Sequence, residues 1–214
     1  MHSLICLVLF FSQVFSLTPP NWGNSPVYFV SVNLTNPSPV ATWKFDYYYD
    51  SSRFNITGSR YNHYPPQFDE MCVDPTIPNS TYECDVIFAV DGWTYLSFPT
   101  ADFCCKCENT FGSTNYDWMK ENSTFVGHEN INGIAVEHWT KQGQYLNHYY
   151  CDAKDKKPIR FNELWGPDQV LKQWDYIIES YDKRLFDTSF VEAPKVCQTF
   201  CMSEACKEYR SIQI

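Results

Sequence analysis

Three thiols within four residues, Cys104, Cys105 and Cys107, are the sharpest chemical signal in this sequence of 214 residues. Closely spaced thiolates bind zinc, and in an oxidising compartment the same residues form disulfides. Cys72, Cys84, Cys151, Cys197, Cys201 and Cys206 supply further sulfurs. The cluster together with Cys197 and Cys201 could provide four thiolates for zinc, but a secreted, sequon-bearing chain favours their oxidation to disulfides. The histidines His63, His128, His138 and His148 contain no His-Glu-x-x-His pair, and no Gly-x-Ser-x-Gly marks a serine nucleophile. Phosphodiester cleavage by a histidine pair needs two imidazoles and a lysine. The fragment Val136-Glu137-His138-Trp139-Thr140-Lys141-Gln142-Gly143 has His138 and Lys141 but places Gln142 where the second histidine would stand. Asp152 with Asp155, and Asp182 with Asp187, offer hard oxygen ligands, yet Lys154, Lys156 and Lys183 interleave and no Asp-x-Asp-x-Asp-Gly loop exists. No metal, cofactor or catalytic residue is therefore expected. Paired carboxylates for glycoside chemistry need no fixed spacing, so a carbohydrate-active enzyme stays open as an alternative.

The redox question is decided by the compartment. Met1 to Ser16 carries the apolar run Leu4–Phe11 followed by Val14 and Ser16 at the positions a signal peptidase inspects, which predicts a secretory signal over residues 1–16, cleaved after Ser16. The run is shorter than the ~20 residues of a spanning helix, and no transmembrane segment is expected. Asn33, Asn55, Asn79 and Asn122 each open an Asn-x-Ser/Thr acceptor, as in a secreted glycoprotein. Of ten cysteines Cys6 leaves with the signal and nine remain, predicting up to four internal disulfides and one odd thiol able to link a homodimer. Cys72 with Cys84 closes the loop between them, and the 104–107 cluster is expected to staple to Cys151 and the C-terminal cysteines. Lys and Arg number 16 against 25 Asp and Glu, a net charge of −9, which disfavours nucleic acid and anionic membranes as partners.

The elements that position these residues read as one secreted β domain over 17–214 with a Cys-rich tail at 197–214. Residues Ala41–Asp50 alternate Trp43, Phe45, Tyr47 and Tyr49 with Lys44, Asp46 and Tyr48, the period of a half-buried strand. Ser51-Ser52 is expected to turn this strand back into Arg53–Thr57, and Val27–Thr35, Tyr82–Val90, Trp93–Phe98, Thr124–His128, Ile134–Thr140, Tyr145–Cys151, Pro158–Trp165 and Gln173–Tyr181 read as further strands, about nine in all, in an antiparallel meander. Asp91-Gly92 is expected to turn with positive φ at both positions. The Pro-rich residues 61–81 read as a surface excursion, Asp117-Trp118-Met119 as one helical turn, and the spacing of Cys201 and Cys206 as a short disulfide-tied helix. Aromatic residues make up 18% of the chain. Many fall in alternation, so one sheet face carries either a packed aromatic core or an apolar cavity lined by Trp43, Phe45, Tyr47, Trp93, Tyr95, Tyr145, Tyr149, Trp174, Tyr176 and Ile178. No long amphipathic helix is visible to cover that face.

The landmarks Tyr47-Tyr-Tyr-Asp50, Arg53, Asn55-Ile56, Asp91-Gly-Trp-Thr-Tyr95, Asp117-Trp118, Phe125-Val-Gly127, Ile131-Asn-Gly133, Trp139-Thr-Lys141, His148-Tyr-Tyr150, Lys157-Pro158, Asp175-Tyr176 and Phe190 to Cys197 occur in a recognisable order. Over residues 42 to 197 the chain resembles a poorly characterised family of secreted plant and protist proteins that carry a loose label of glycosyl-group transfer. That family is similar in turn to ependymin-related and LolA-like proteins. The resemblance implies a curved antiparallel sheet, a half-barrel whose concave side holds an apolar ligand, and supplies no catalytic residue. Ala135 stands where plant members place a cysteine, so the resemblance does not carry a disulfide map. The expected function is non-catalytic binding of an apolar small molecule or lipid, with an extracellular interaction module as the alternative.

Overall fold

A computed structural model describes residues 18–20, 27–37, 40–53, 56–77, 82–109, 112–165, 169–183 and 187–211. The signal segment and the acceptors Asn55 and Asn79 lie outside the described residues. Eleven strands form one antiparallel sheet: β1 (Val27–Pro37), β2 (Val40–Arg53), β3 (Ile56–His63), β4 (Cys84–Phe88), β5 (Thr94–Phe98), β6 (Phe103–Glu108), β7 (Ser123–Ile131), β8 (Ile134–Gln142), β9 (Leu146–Asp152), β10 (Pro158–Trp165) and β11 (Gln169–Asp182). One helix, α1 (Glu204–Ser211), ends the described chain. The strand order β6-β5-β4-β3-β2-β1-β11-β10-β9-β8-β7 makes two meanders, β1 to β6 and β7 to β11, joined where β1 pairs with β11. Strands consecutive in the chain, β6 and β7, are thus the two edges of the sheet. The residues between them must cross its whole width.

Period-two alternation chooses the inner face. On β2, Trp43, Phe45, Tyr47 and Tyr49 are buried, and their β1 partners in the ladder, Leu34, Val32, Val30 and Tyr28, are buried with them. Each such side chain taken out of water contributes about 1.5–3 kcal/mol before entropy is subtracted. The outer face of β2 and β3 is covered by the 3-10 turn Thr188–Val191. Phe190 stacks on Tyr48 at 5.1 Å, and Val191 packs over Gly58 so closely that a Cβ there would lie 2.7 Å from the Val191 Cβ.

Several expectations change. The cysteine cluster is itself the edge strand β6, so alternation splits its thiols: Cys105 and Cys107 face inward to Cys201 and Cys206, and Cys104 faces outward to Cys197. The chain after Cys197 wraps that edge. The Lys106 N–H donates to the Thr199 carbonyl at 2.7 Å and the Cys201 N–H donates to the Lys106 carbonyl at 2.8 Å, which satisfies backbone groups that an open edge would expose. Cys72 pairs with Cys84 as expected, whereas Cys151 is a buried free thiol and not a staple. Residues 61–63 of the expected excursion belong to β3. At Asp91-Gly92 only the glycine takes a positive φ, 85°, because the loop runs over three residues with the left-handed position last. Asn132-Gly133 does take positive φ at both positions.

Candidate functional site

The inner face is covered in two places, at one end by the short disulfide-tied helix α1 with a 3-10 turn and at the other by a loop segment. At the β3–β6 end, α1 and the 3-10 turn Glu70–Cys72 lie over the sheet, fixed by the Cys105–Cys201, Cys107–Cys206 and Cys72–Cys84 bridges. At the other end the crossing segment 112–122 spans the face. The Tyr49 hydroxyl donates to the Thr114 carbonyl at 2.7 Å, and the Thr57 hydroxyl donates to the Asn115 side-chain oxygen at 3.2 Å. The Lys141 ammonium donates to the Trp118 carbonyl from the far side, and Met119 is buried beside Trp139, Tyr149 and Cys151.

Among the described residues two cavities lie between the covers. The first, about 260 Å³, is walled by Tyr47 of β2, Tyr61 of β3, Asn147 and Tyr149 of β9, Phe161 and Glu163 of β10, Trp174 and Tyr176 of β11, and Thr114 and Trp118 of the crossing segment. Its rings meet at steep angles: Tyr61 and Trp174 at 76° with centroids 5.8 Å apart, and Trp118 and Phe161 at 74° and 6.0 Å. Burial raises the phenols of Tyr47, Tyr61 and Tyr176 well above the ordinary tyrosine value, so they remain neutral donors at physiological pH. The second cavity, about 150 Å³, shares Tyr61 and Trp174 with the first and adds Phe45, Phe88, Met71, Ala205 and the polar set His63, Asp69, Glu70 and Lys172. The buried indole N–H of Trp174, in the wall between the two, has no hydrogen-bond partner.

The polar groups are unevenly charged. Burial raises the Glu163 carboxyl and the charge of Lys172 works against it. Lys172 is its cross-strand neighbour. Burial also works to raise Asp69, but the hydrogen bond and charge of His63, the charge of Lys172 and the Met71 N–H together hold it well below the ordinary value. His63 Nε2 lies 3.2 Å from the Asp69 carboxylate. One lysine thus stands between two carboxylates of the inner face. The ligand atoms of His63, Cys72 and Cys84 lie within 4.8 Å of one another, but both sulfurs are bonded to each other and offer no thiolate.

Of the ten residues expected to line a cavity, Tyr47, Tyr149 and Tyr176 line the first, Phe45 the second, and Trp174 both. Trp43 is buried in the same inner cluster without reaching either space. Trp93 and Tyr95 lie on the opposite face: Val86 pairs with Leu96 inward, so Ile87 and Tyr95 point outward, against Ala89 and Cys197. Tyr145, just before β9, and Ile178, in the bulge where the β1–β11 register shifts, line neither cavity. Tyr61, Trp118, Phe161 and Glu163 were not expected.

The other chemical candidates resolve into structural roles. His138 holds Glu129 at 2.6 Å through Nδ1 and His148 at 2.8 Å through Nε2, while Lys141 is committed to Trp118, so no phosphate-binding trio assembles. Asp152 accepts backbone N–H groups of its own turn, and Asp187 caps Ser189. Asn33 and Asn122 are exposed. Among the described residues no helix is long and apolar enough to cross a membrane.

No protein-family model matches this chain, and no curated protein matches it. Solved structures do. An uncharacterised conserved protein from Thermus thermophilus matches at 10% identity and TM-score 0.52 over 82% of this chain and 90% of that one. MucB in its complex with MucA from Pseudomonas aeruginosa matches at 12% identity and TM-score 0.48, over 81% of this chain and 57% of that one. A LolA superfamily protein from Nitrosomonas europaea matches at 9% identity and TM-score 0.33 over 79% and 90%. At these identities the Thermus match establishes a shared fold and nothing further.

Proposed function

We propose that this chain is a secreted, glycosylated carrier that holds one apolar small molecule or one lipid chain on the inner face of its sheet, without chemistry. The observation that carries this reading is the first cavity, with seven aromatic side chains among its ten lining residues and a roof made by the edge-to-edge crossing segment. Its volume lies just below the ~300–1,000 Å³ of small-molecule sites, which favours a single chain or compact group over a two-chain lipid. The unpartnered Trp174 N–H would gain a hydrogen bond from an ester, carbonyl or hydroxyl oxygen of such a ligand. Four disulfides support an oxidising compartment. A glycan on Asn122 would sit beside β7, which pairs only with β8, and would guard that edge from pairing with another chain.

The alternatives gain less. The odd thiol expected to link a homodimer is Cys151, whose exposure is 0%, so an interchain bridge through it would require the core to open. The first cavity presents one carboxylate, Glu163, where glycoside hydrolysis takes a facing pair. Organic extraction of the recombinant protein followed by mass spectrometry tests the carrier reading. A stoichiometric apolar compound supports it; an empty extract, with no amphiphile able to perturb tryptophan fluorescence afterwards, rejects it.

A further inference from the structure

Resting on the carrier reading, we infer that the first cavity selects a single-chain amphiphile with a cationic ammonium head, held between the Glu163 carboxylate and the faces of Tyr47, Tyr61, Trp118 and Trp174. An ammonium is drawn to aromatic faces within about 6 Å of the ring centroid, most strongly where water is excluded. The rings that wall the space stand at several inclinations: Tyr47 and Tyr61 pack together with centroids 4.8 Å apart at 32°, and Trp174 meets Tyr61 at 76°. Glu163 is the one charged group in this wall, half-buried on β10 with Phe161 on the same face.

The charge balance around the cavities points the same way. Asp69 and Glu70 line the adjoining space, and Lys172 is shared between Glu163 and Asp69. The lining of the first cavity itself holds one carboxylate and no cation. A carboxylate or phosphate head would add a second anion to a site where Glu163 already suffers from burial. An ammonium head would instead relieve that burial cost, and the chain behind it has Phe161 and Tyr176 to pack against.

The test uses the delipidated full-length protein and three probes with one chain, dodecyltrimethylammonium, dodecanol and dodecanoate, titrated below micellar concentration with tryptophan fluorescence as readout. The ammonium probe is expected to bind roughly tenfold more tightly than dodecanoate, as one desolvated cation–π contact with a counter-ion provides. Glu163→Gln should weaken dodecyltrimethylammonium by roughly tenfold and leave dodecanol within about twofold, which also reports that the variant is folded. If dodecanol and dodecanoate bind as well as the ammonium, or if Glu163→Gln weakens all three alike, the head-group assignment is overturned while the carrier reading stands. If no probe binds, the carrier reading fails and the assignment with it.

Discussion

Replacing Cys107 and Cys206 together by alanine should release α1 from the inner face while the sheet stays folded. The Cys107–Cys206 bridge spans 99 residues, and a bridge acting alone over that length would contribute about 4.7 kcal/mol through closure entropy. It does not act alone. With Cys105–Cys201 in place, the ring it closes contains only residues 105 to 107 and 201 to 206, for which the same relation yields about 2.6 kcal/mol. Both sulfurs are fully buried, so alanine also forfeits packing on the order of 1 kcal/mol. The expected loss is then roughly 3 to 4 kcal/mol. An eight-residue helix has no independent stability in water, so α1 should fray as soon as its bridge is gone. Urea denaturation supplies the total, and hydrogen exchange shows where it falls. Loss of protection confined to residues 204–211 and the turn at Glu70–Cys72 is the expected pattern. A loss above about 5 kcal/mol with simultaneous exchange of the β4–β6 amides would refute the reasoning, because it would mean that the bridges act independently and that the edge strand depends on this one.

Further expectations follow from single residues. Gly58→Ala should cost about 1–3 kcal/mol, since its Cβ would fall 2.7 Å from Val191 Cβ and push the 188–191 turn off the outer face; thermal unfolding measures it, and an unchanged midpoint would show that the turn is not seated. Cys151, its thiol pushed up to about 12 by burial, should resist alkylation in the native protein and react as one thiol per chain once unfolded without reductant; rapid native labelling would contradict the closed core. Asp85 is pushed up to about 6 by burial, which outweighs the Arg60 guanidinium paired with it. A folded-state pKa above the unfolded value of 3.8 means that its contribution to stability is present below that value and declines as the pH rises towards 6, so Asp85→Asn should remove a fall in stability between pH 4 and 6. A pH–stability curve with the same slope in both proteins would reject this.

The fold was legible where local period and face agree. On β2 the alternation of Trp43, Phe45, Tyr47 and Tyr49 named the inner face directly, and the Asp-Gly and Asn-Gly pairs marked their hairpins. Pairing order was not legible, because nothing local to Val27–Pro37 or Gln169–Asp182 shows that they meet, with partners from Thr35 and Gln173 to Phe29 and Asp182 lying 138 to 153 positions apart; that contact is what makes two meanders instead of one. The cysteine cluster hid a strand, since sulfur is read as chemistry before Phe103-Cys-Cys-Lys-Cys is read as alternation. At the site, Phe45, Tyr47, Tyr149, Trp174 and Tyr176 were found by period, whereas Trp93 and Tyr95 show that aromatic alternation does not say which face is inner. Trp118 and Thr114 escaped because a loop has no period, and they line the cavity only because β6 and β7 are opposite edges. Glu163 was invisible for a different reason: one glutamate on a strand reads as solvent-facing until its neighbours prove aromatic.

The most direct test of the central claim is quenching by an amphiphile with a brominated chain, titrated into the delipidated protein and into Trp118→Phe/Trp174→Phe. The account predicts saturable quenching with one ligand per chain in the native protein and loss of most of it in the variant, because Trp118 and Trp174 are the tryptophans that line the first cavity, whereas Trp43 and Trp139 are buried without lining it. Unsaturable quenching, or quenching undiminished in the variant, would place the ligand elsewhere and contradict a binding site on the inner face.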